Sequence, residues 1–200
     1  MSESVKALLI ELSGYANGAL WILPAMWVTF LLDQVLPLSR LGLVPRSATG
    51  LIGVLFMPFL HSDLRHLIAN SVPLAVLILL VNGERLNTVE VMLAICVIGG
   101  FMLWLAGRRA LHVGASLLLF GLCGFHLTTG LVEQKFYAVA VAVLVAVVYG
   151  SRLLGSINPL QRGVSWEGHL FGIIAGVLTA FYNSGFDIRQ AEFFGRWLAH

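Results

Sequence analysis

Gly114-Ala115-Ser116-Leu117-Leu118-Leu119-Phe120-Gly121-Leu122-Cys123-Gly124 sets one hydroxyl among small and apolar residues. It lies inside an uncharged run over 110–132 that Glu133, Gln134 and Lys135 close. A helix needs about 20 mostly apolar residues to cross the hydrocarbon core of a bilayer, so the run reads as a membrane span. Composition agrees: 58% of the 200 residues are hydrophobic and 11% are charged, whereas a soluble domain is about a quarter charged. Ser116 therefore lives among lipid and protein, where a polar side chain is costly and is by default a candidate for function.

Five further apolar runs surround this one, the one over 136–154 carrying Arg152 near its end, where it can snorkel. Residues 136–154 and 168–186 follow it, separated by a polar loop with Asn158, Pro159 and Arg162, and 12–32, 66–83 and 91–107 precede it. Six transmembrane helices define an all-α polytopic membrane protein, with residues 1–200 as a single membrane domain and no soluble module of any size. Between the first and second spans, Pro37, Gly42, Pro45, Gly50, Gly53 and Pro58 interrupt a stretch still rich in Leu, Phe and Met. Irregular backbone survives at membrane depth only where protein or a wet cavity satisfies it, which makes this a partly embedded loop. A short extra span over 47–62 is the alternative. Glu3, Lys6 and Glu11 do not match the basic start of a cleavable signal, so the N-terminus reads as retained.

Several function classes drop out. A net charge of +2 without a basic stripe argues against a nucleic-acid partner. Cys96 and Cys123 sit in apolar runs, where thiols pack rather than form a disulfide framework. The His-Glu-x-x-His pattern of a zinc peptidase does not occur, and Asp33, Asp63 and Asp187 stand at span ends rather than inside spans. A transporter or channel built from repeated halves would show a broken helix in each half, and here the broken stretch occurs once. No metal or cofactor is implied.

With six spans, the second, fourth and sixth run the same way, and polar residues cluster near their starts: His66 and Asn70, Ser116, and His169. His66 and Asn70, four apart, share one helix face. At 1.5 Å rise per residue all four residues reach a similar shallow depth. Gly168, Gly172 and Gly176 face Gly114, Gly121 and Gly124 as small-residue ridges that let two backbones approach. A serine must come within about 3 Å of an imidazole to give up its proton. Taken singly, such a Ser also reads as bonded to its own i−4 carbonyl, and such a His as an interfacial residue.

Taken together, Gly114-Ala115-Ser116 with Phe120 and Gly121, His169-Leu170-Phe171-Gly172 with Gly176, and His61-Ser62-Asp63-Leu64-Arg65-His66-Leu67-Ile68-Ala69-Asn70 resemble the rhomboid intramembrane serine proteases. The resemblance covers about 56–176 and rests on three separated motifs in the right order. It implies a rhomboid-like bundle that hydrolyses peptide bonds in or near transmembrane segments of membrane-anchored substrates. Ser116 would be the nucleophile and His169 its general base, a dyad whose imidazole rests on Phe120. The Ser116 backbone N–H, His66 and Asn70 would stabilise the oxyanion, with Gly114, Phe120 and Gly172 in support. The partners implied are transmembrane protein substrates and the lipid bilayer.

Where the family has Gly after the serine, this chain has Leu117, a side chain that could narrow the substrate cleft or alter the backbone path at the nucleophile. The family's Trp-Arg pair in the first loop is not evident. His61 is expected to support that loop, His112 to be interfacial and His126 to pack, while Glu167, two residues before His169, is expected to face elsewhere. Charge favours one orientation by the positive-inside rule. The resemblance favours the other: a bacterial inner membrane with the helix starts toward the outer face. A rhomboid-like protein that binds transmembrane segments without cutting them is the competing reading.

Overall fold

The computed structural model describes residues 18–82, 85–157 and 165–186. Glu3, Lys6 and Glu11, the polar loop residues Asn158, Pro159 and Arg162, and Asp187 lie outside them. Seven α-helices occur among the described residues: α1 Ile22–Asp33, α2 Gly53–Phe56, α3 Leu64–Leu79, α4 Thr88–Ala106, α5 Ser116–Glu133, α6 Phe136–Ser156 and α7 Trp166–Asn183. By length and composition α4, α5 and α6 can each cross a membrane. A fourth span arises if the turns over Thr49–Phe59 are taken with α3, from which they are bent by 70°. The protein is an integral membrane protein.

Local chemistry sets where these helices begin. Asp63 caps α3 by accepting from the His66 N–H at 2.9 Å. Asn87 and Glu90 form a reciprocal capping box on α4, satisfying two otherwise unpaired backbone donors. Ser165 caps α7 by accepting from the Gly168 N–H. Residues 110–115, which the sequence reading included in the fourth span, stay outside the helix, and α5 begins at Ser116.

α5 is the central post, buried along almost its whole length from Leu117 to Gly130. Its contact with α7 is backbone to backbone. A Cβ on Gly176 would overlap the Gly121 carbonyl, one on Gly172 would overlap the Leu117 carbonyl, and one on Gly124 would lie 2.6 Å from the Ile173 carbonyl. Gly114 and Gly168 take no part in this contact: a Cβ on the first would meet the His66 ring, and one on the second Ser165.

The broken stretch before α3 folds into short turns strapped to the elements that precede Ser116. Leu43 and His112 exchange backbone hydrogen bonds at 3.0 and 2.8 Å. The Arg46 N–H donates to the Trp104 carbonyl at 2.9 Å, and the Trp104 indole donates to the Ser47 carbonyl at 2.9 Å. The Gly114 N–H donates to the Met57 carbonyl at 3.0 Å. Polar backbone that a helix would satisfy internally is here satisfied by neighbouring protein.

Candidate active site

α3, α5 and α7 start at the same end of the bundle. A Cβ on Gly114 would lie 2.5 Å from His66 Cε1 and 3.7 Å from Asn70 Nδ2, which puts the polar face of α3 against the approach to Ser116. The approach depends on glycine twice over, because Gly114 also has φ +108°, a region that a side chain disfavours. At the far end, the Arg85 and Leu86 N–H groups donate to Asn183 Oδ1 at 3.1 and 2.9 Å, fixing the end of α7 beside the start of α4.

Ser116 is the first residue of α5. The first backbone amides of a helix have no intrahelical acceptor, and the dipole there is positive; both favour an anion beside Ser116. One turn on, Phe120 shares its helix face. The Phe120 ring stacks on the His169 imidazole with centroids 4.1 Å apart and planes 17° from parallel. His169 therefore lies on the face that carries the hydroxyl. No hydrogen bond joins Ser116 to His169 among the described residues.

The other side of the imidazole is fixed by a partner that residue types and spacing could not reveal. His169 Nδ1 lies 3.1 Å from the carbonyl of Ser156, at the end of α6. A carbonyl only accepts, so Nδ1 carries the proton and Nε2 is left with the lone pair. Asn70 Nδ2 gives one hydrogen to the His66 carbonyl at 3.0 Å and keeps its second.

Leu117 does not narrow the cleft. Its side chain is 1% exposed and turns into the core, where a Cβ on Gly99 of α4 would lie 3.1 Å from Leu117 Cδ2. Bulk after the serine is accommodated by the absence of a side chain at 99.

Glu167 does face away from His169. It receives the Arg108 guanidinium through both carboxylate oxygens, Nη2 at 2.9 Å and Nε closer still, and the Arg108 N–H at 3.4 Å. This pairing holds the Arg108 guanidinium above its ordinary range. His112 bridges two elements: it is 4% exposed, with Nδ1 2.7 Å from Ser165 Oγ and Nε2 3.2 Å from the Arg108 carbonyl. Since the carbonyl must accept, Nε2 donates and Nδ1 accepts from the Ser165 hydroxyl. The loop before Ser116 is thus stitched to the N-cap of α7, four residues before His169. A Ser cap with an acidic residue in the first turn was legible in Ser165 and Glu167; their partners were not.

A profile of the rhomboid domain matches residues 48–186. The chain belongs to the rhomboid family. It is 39% identical over 168 residues to an uncharacterised protein of Mycobacterium tuberculosis (strain ATCC 25618 / H37Rv), covering 78% of this chain and 70% of that one. An uncharacterised protein of Mycobacterium bovis matches to the same extent. One of Mycobacterium leprae is 34% identical over 178 residues, covering 82% of this chain and 70% of its own. Among the described residues of this rhomboid no cluster of His, Cys, Asp and Glu could hold a metal ion.

Proposed function

We propose that this rhomboid is an intramembrane serine endopeptidase that cleaves peptide bonds in or beside transmembrane segments of membrane-anchored proteins. We read the chain as a single domain of six spans with the loop before α3 partly embedded, in a bacterial inner membrane with the site toward the outer face. The observation that carries the activity is the Phe120–His169 stack one turn from Ser116, with Nδ1 committed to Ser156.

In this reading Ser116 Oγ attacks the scissile carbonyl carbon while His169 Nε2 takes its proton. Negative charge moves to the carbonyl oxygen, where the Ser116 N–H, Asn70 Nδ2–H and His66 meet it. Each well-aimed donor is worth about 3 to 4 kcal/mol in the transition state. Collapse breaks the C–N bond, and the imidazolium returns the proton to the leaving amine. Water then attacks the acyl-enzyme by the same route in reverse, releasing the acid and regenerating the hydroxyl. The burial of Leu117 supports cleavage over the competing reading of a rhomboid that binds segments without cutting them.

The test is cleavage of a generic single-span substrate by purified protein, compared with Ser116→Ala and His169→Ala. Each variant is expected to lose at least about 1,000-fold in rate at an unchanged melting temperature. Cleavage that persists in both removes the dyad.

A further inference from the structure

Beside the candidate oxyanion residues, α3 and α6 enclose a cavity of about 100 Å³. Asn70 and Phe120 form the wall next to Ser116, Pro73 and Leu119 supply apolar surface, and Tyr149 and Arg152 of α6 close the far side. Liquid water occupies about 30 Å³ per molecule, so the space suits one short side chain rather than a helix.

Arg152 is the unexpected member. It is exposed, and among the described residues no carboxylate or hydrogen-bond acceptor pairs with it. Its level is fixed by Ser156, one turn on along α6, whose carbonyl holds His169. One turn is about 5.4 Å, and Arg152 lines the same cavity as Asn70 and Phe120. A cation held beside apolar surface there calls for an anion or water. Tyr149, three residues before Arg152 on the same helix face, adds a phenol that is 8% exposed.

We propose that Arg152 and Tyr149 make this cavity a specificity pocket for an acidic side chain of the substrate segment, close to the bond being cut. This rests on the protease reading and adds the substrate class to it. A guanidinium accepts a carboxylate through two parallel hydrogen bonds, while the neutral amide of the same shape satisfies it poorly. Sites built to pair a polar group discriminate strongly against the analogue that lacks it. The solvent access of Arg152 reduces that discrimination, to about tenfold in kcat/KM.

The experiment uses the full chain in phosphatidylcholine vesicles and a set of single-span substrates. One Asp is moved through the positions flanking the scissile bond, each matched to its Asn isostere. At one position the wild type is expected to prefer Asp over Asn about tenfold. Arg152→Gln should bring that ratio to about one, Arg152→Lys should keep part of it, and Arg152→Glu should favour a Lys-bearing substrate. Because the readout is a ratio within each variant, a general loss of activity does not mimic it. The same Asp and Asn peptides, photocrosslinked to Ser116→Ala protein, test the pocket independently of cleavage. If nothing is cut but Asp still crosslinks better than Asn in an Arg152-dependent way, the pocket stands and the protease reading falls. A ratio of one at every position in both assays overturns the pocket. So does a guanidinium effect that appears only with phosphatidylglycerol vesicles, which would assign Arg152 to a lipid phosphate.

Discussion

Two of the neighbours of α5 meet it differently. Toward α7 it presents Gly121 and Gly124 to Gly172 and Ile173, with carbonyls and α-carbons in direct contact. Toward α6 its glycine contact is confined to Gly130, where a Cβ would overlap the Ala142 Cβ, and of the 21 residues of α6 only Ala138, Val141, Val145 and Tyr149 are buried. The first contact has no slack, because a single methyl group has nowhere to go. The second leaves most of one helix facing outward, which gives that helix fewer buried contacts to lose when it moves. Both candidate dyad residues stand on the stiff pair, whereas the proposed substrate pocket borrows one wall from the loose helix.

The most damaging way to break this contrast is to add one carbon to the stiff side. Gly176→Ala puts a Cβ onto the Gly121 carbonyl and 2.8 Å from the Phe125 N–H, so α5 and α7 must separate. Overpacking typically costs about 1 to 3 kcal/mol, and backbone atoms on the far side, which cannot rotate away, put this case at the upper end. Phe120 and His169 meet across the same seam, so cleavage should fall together with thermal stability in detergent. Normal stability with normal cleavage in Gly176→Ala would show that the seam is not what sets the site.

A smaller effect sharpens the contrast at the mouth of the seam, where His112 bridges the loop before Ser116 to Ser165. Burial holds the His112 ring below its ordinary pKa of 6.5, while the Arg108 carbonyl and Glu167 push it up and the Arg108 charge pushes it down. Above pH 6.5 the ring is neutral in folded and unfolded chains alike and stability does not depend on it. As pH falls below 6.5 the unfolded chain takes the proton first, so stability drops until the folded ring also protonates. Protonation would also make Nδ1 a donor, where it now accepts from Ser165. His112→Gln keeps a donor and an acceptor without titrating. It should cost about 1 kcal/mol at pH 7.5 and show a shallower loss of melting temperature than wild type between pH 7.5 and 5. Parallel curves for the two proteins would remove His112 from the acid response.

The same contrast explains how much was legible beforehand. Residues that act through their type and spacing could be read from the chain: Ser116, Phe120 and His169 as a motif, Gly172 and Gly176 as a small-residue ridge, Asp63 as a residue at a span end. What could not be read depends on partners distant in sequence. The carbonyl that orients His169 belongs to Ser156, and any residue has a carbonyl. Arg108 and Glu167 are 59 residues apart, and each alone looks like an ordinary interfacial charge. The inward packing of Leu117 was not legible either, because only the three-dimensional structure sets Gly99 opposite it. Gly114 belonged to the right motif but serves His66 rather than α7.

The smallest effect should come from the outer face of α6. Val147 is 77% exposed and Val145 is 1% exposed, two residues apart on one helix. In water both would count as apolar surface, but lipid tails are as apolar as a valine side chain, so the exposed one gains nothing by being covered. Val147→Ala should therefore change melting temperature and cleavage negligibly, by less than about 0.5 kcal/mol. Val145→Ala should cost about 1 kcal/mol, because it opens a void against α5 that packed neighbours fill only in part. The pair measures how much of α6 is held by packing rather than by the bilayer. If Val147→Ala proved as costly as Val145→Ala, a protein surface rather than lipid would have to cover that face, and α6 would no longer be the loose neighbour of α5.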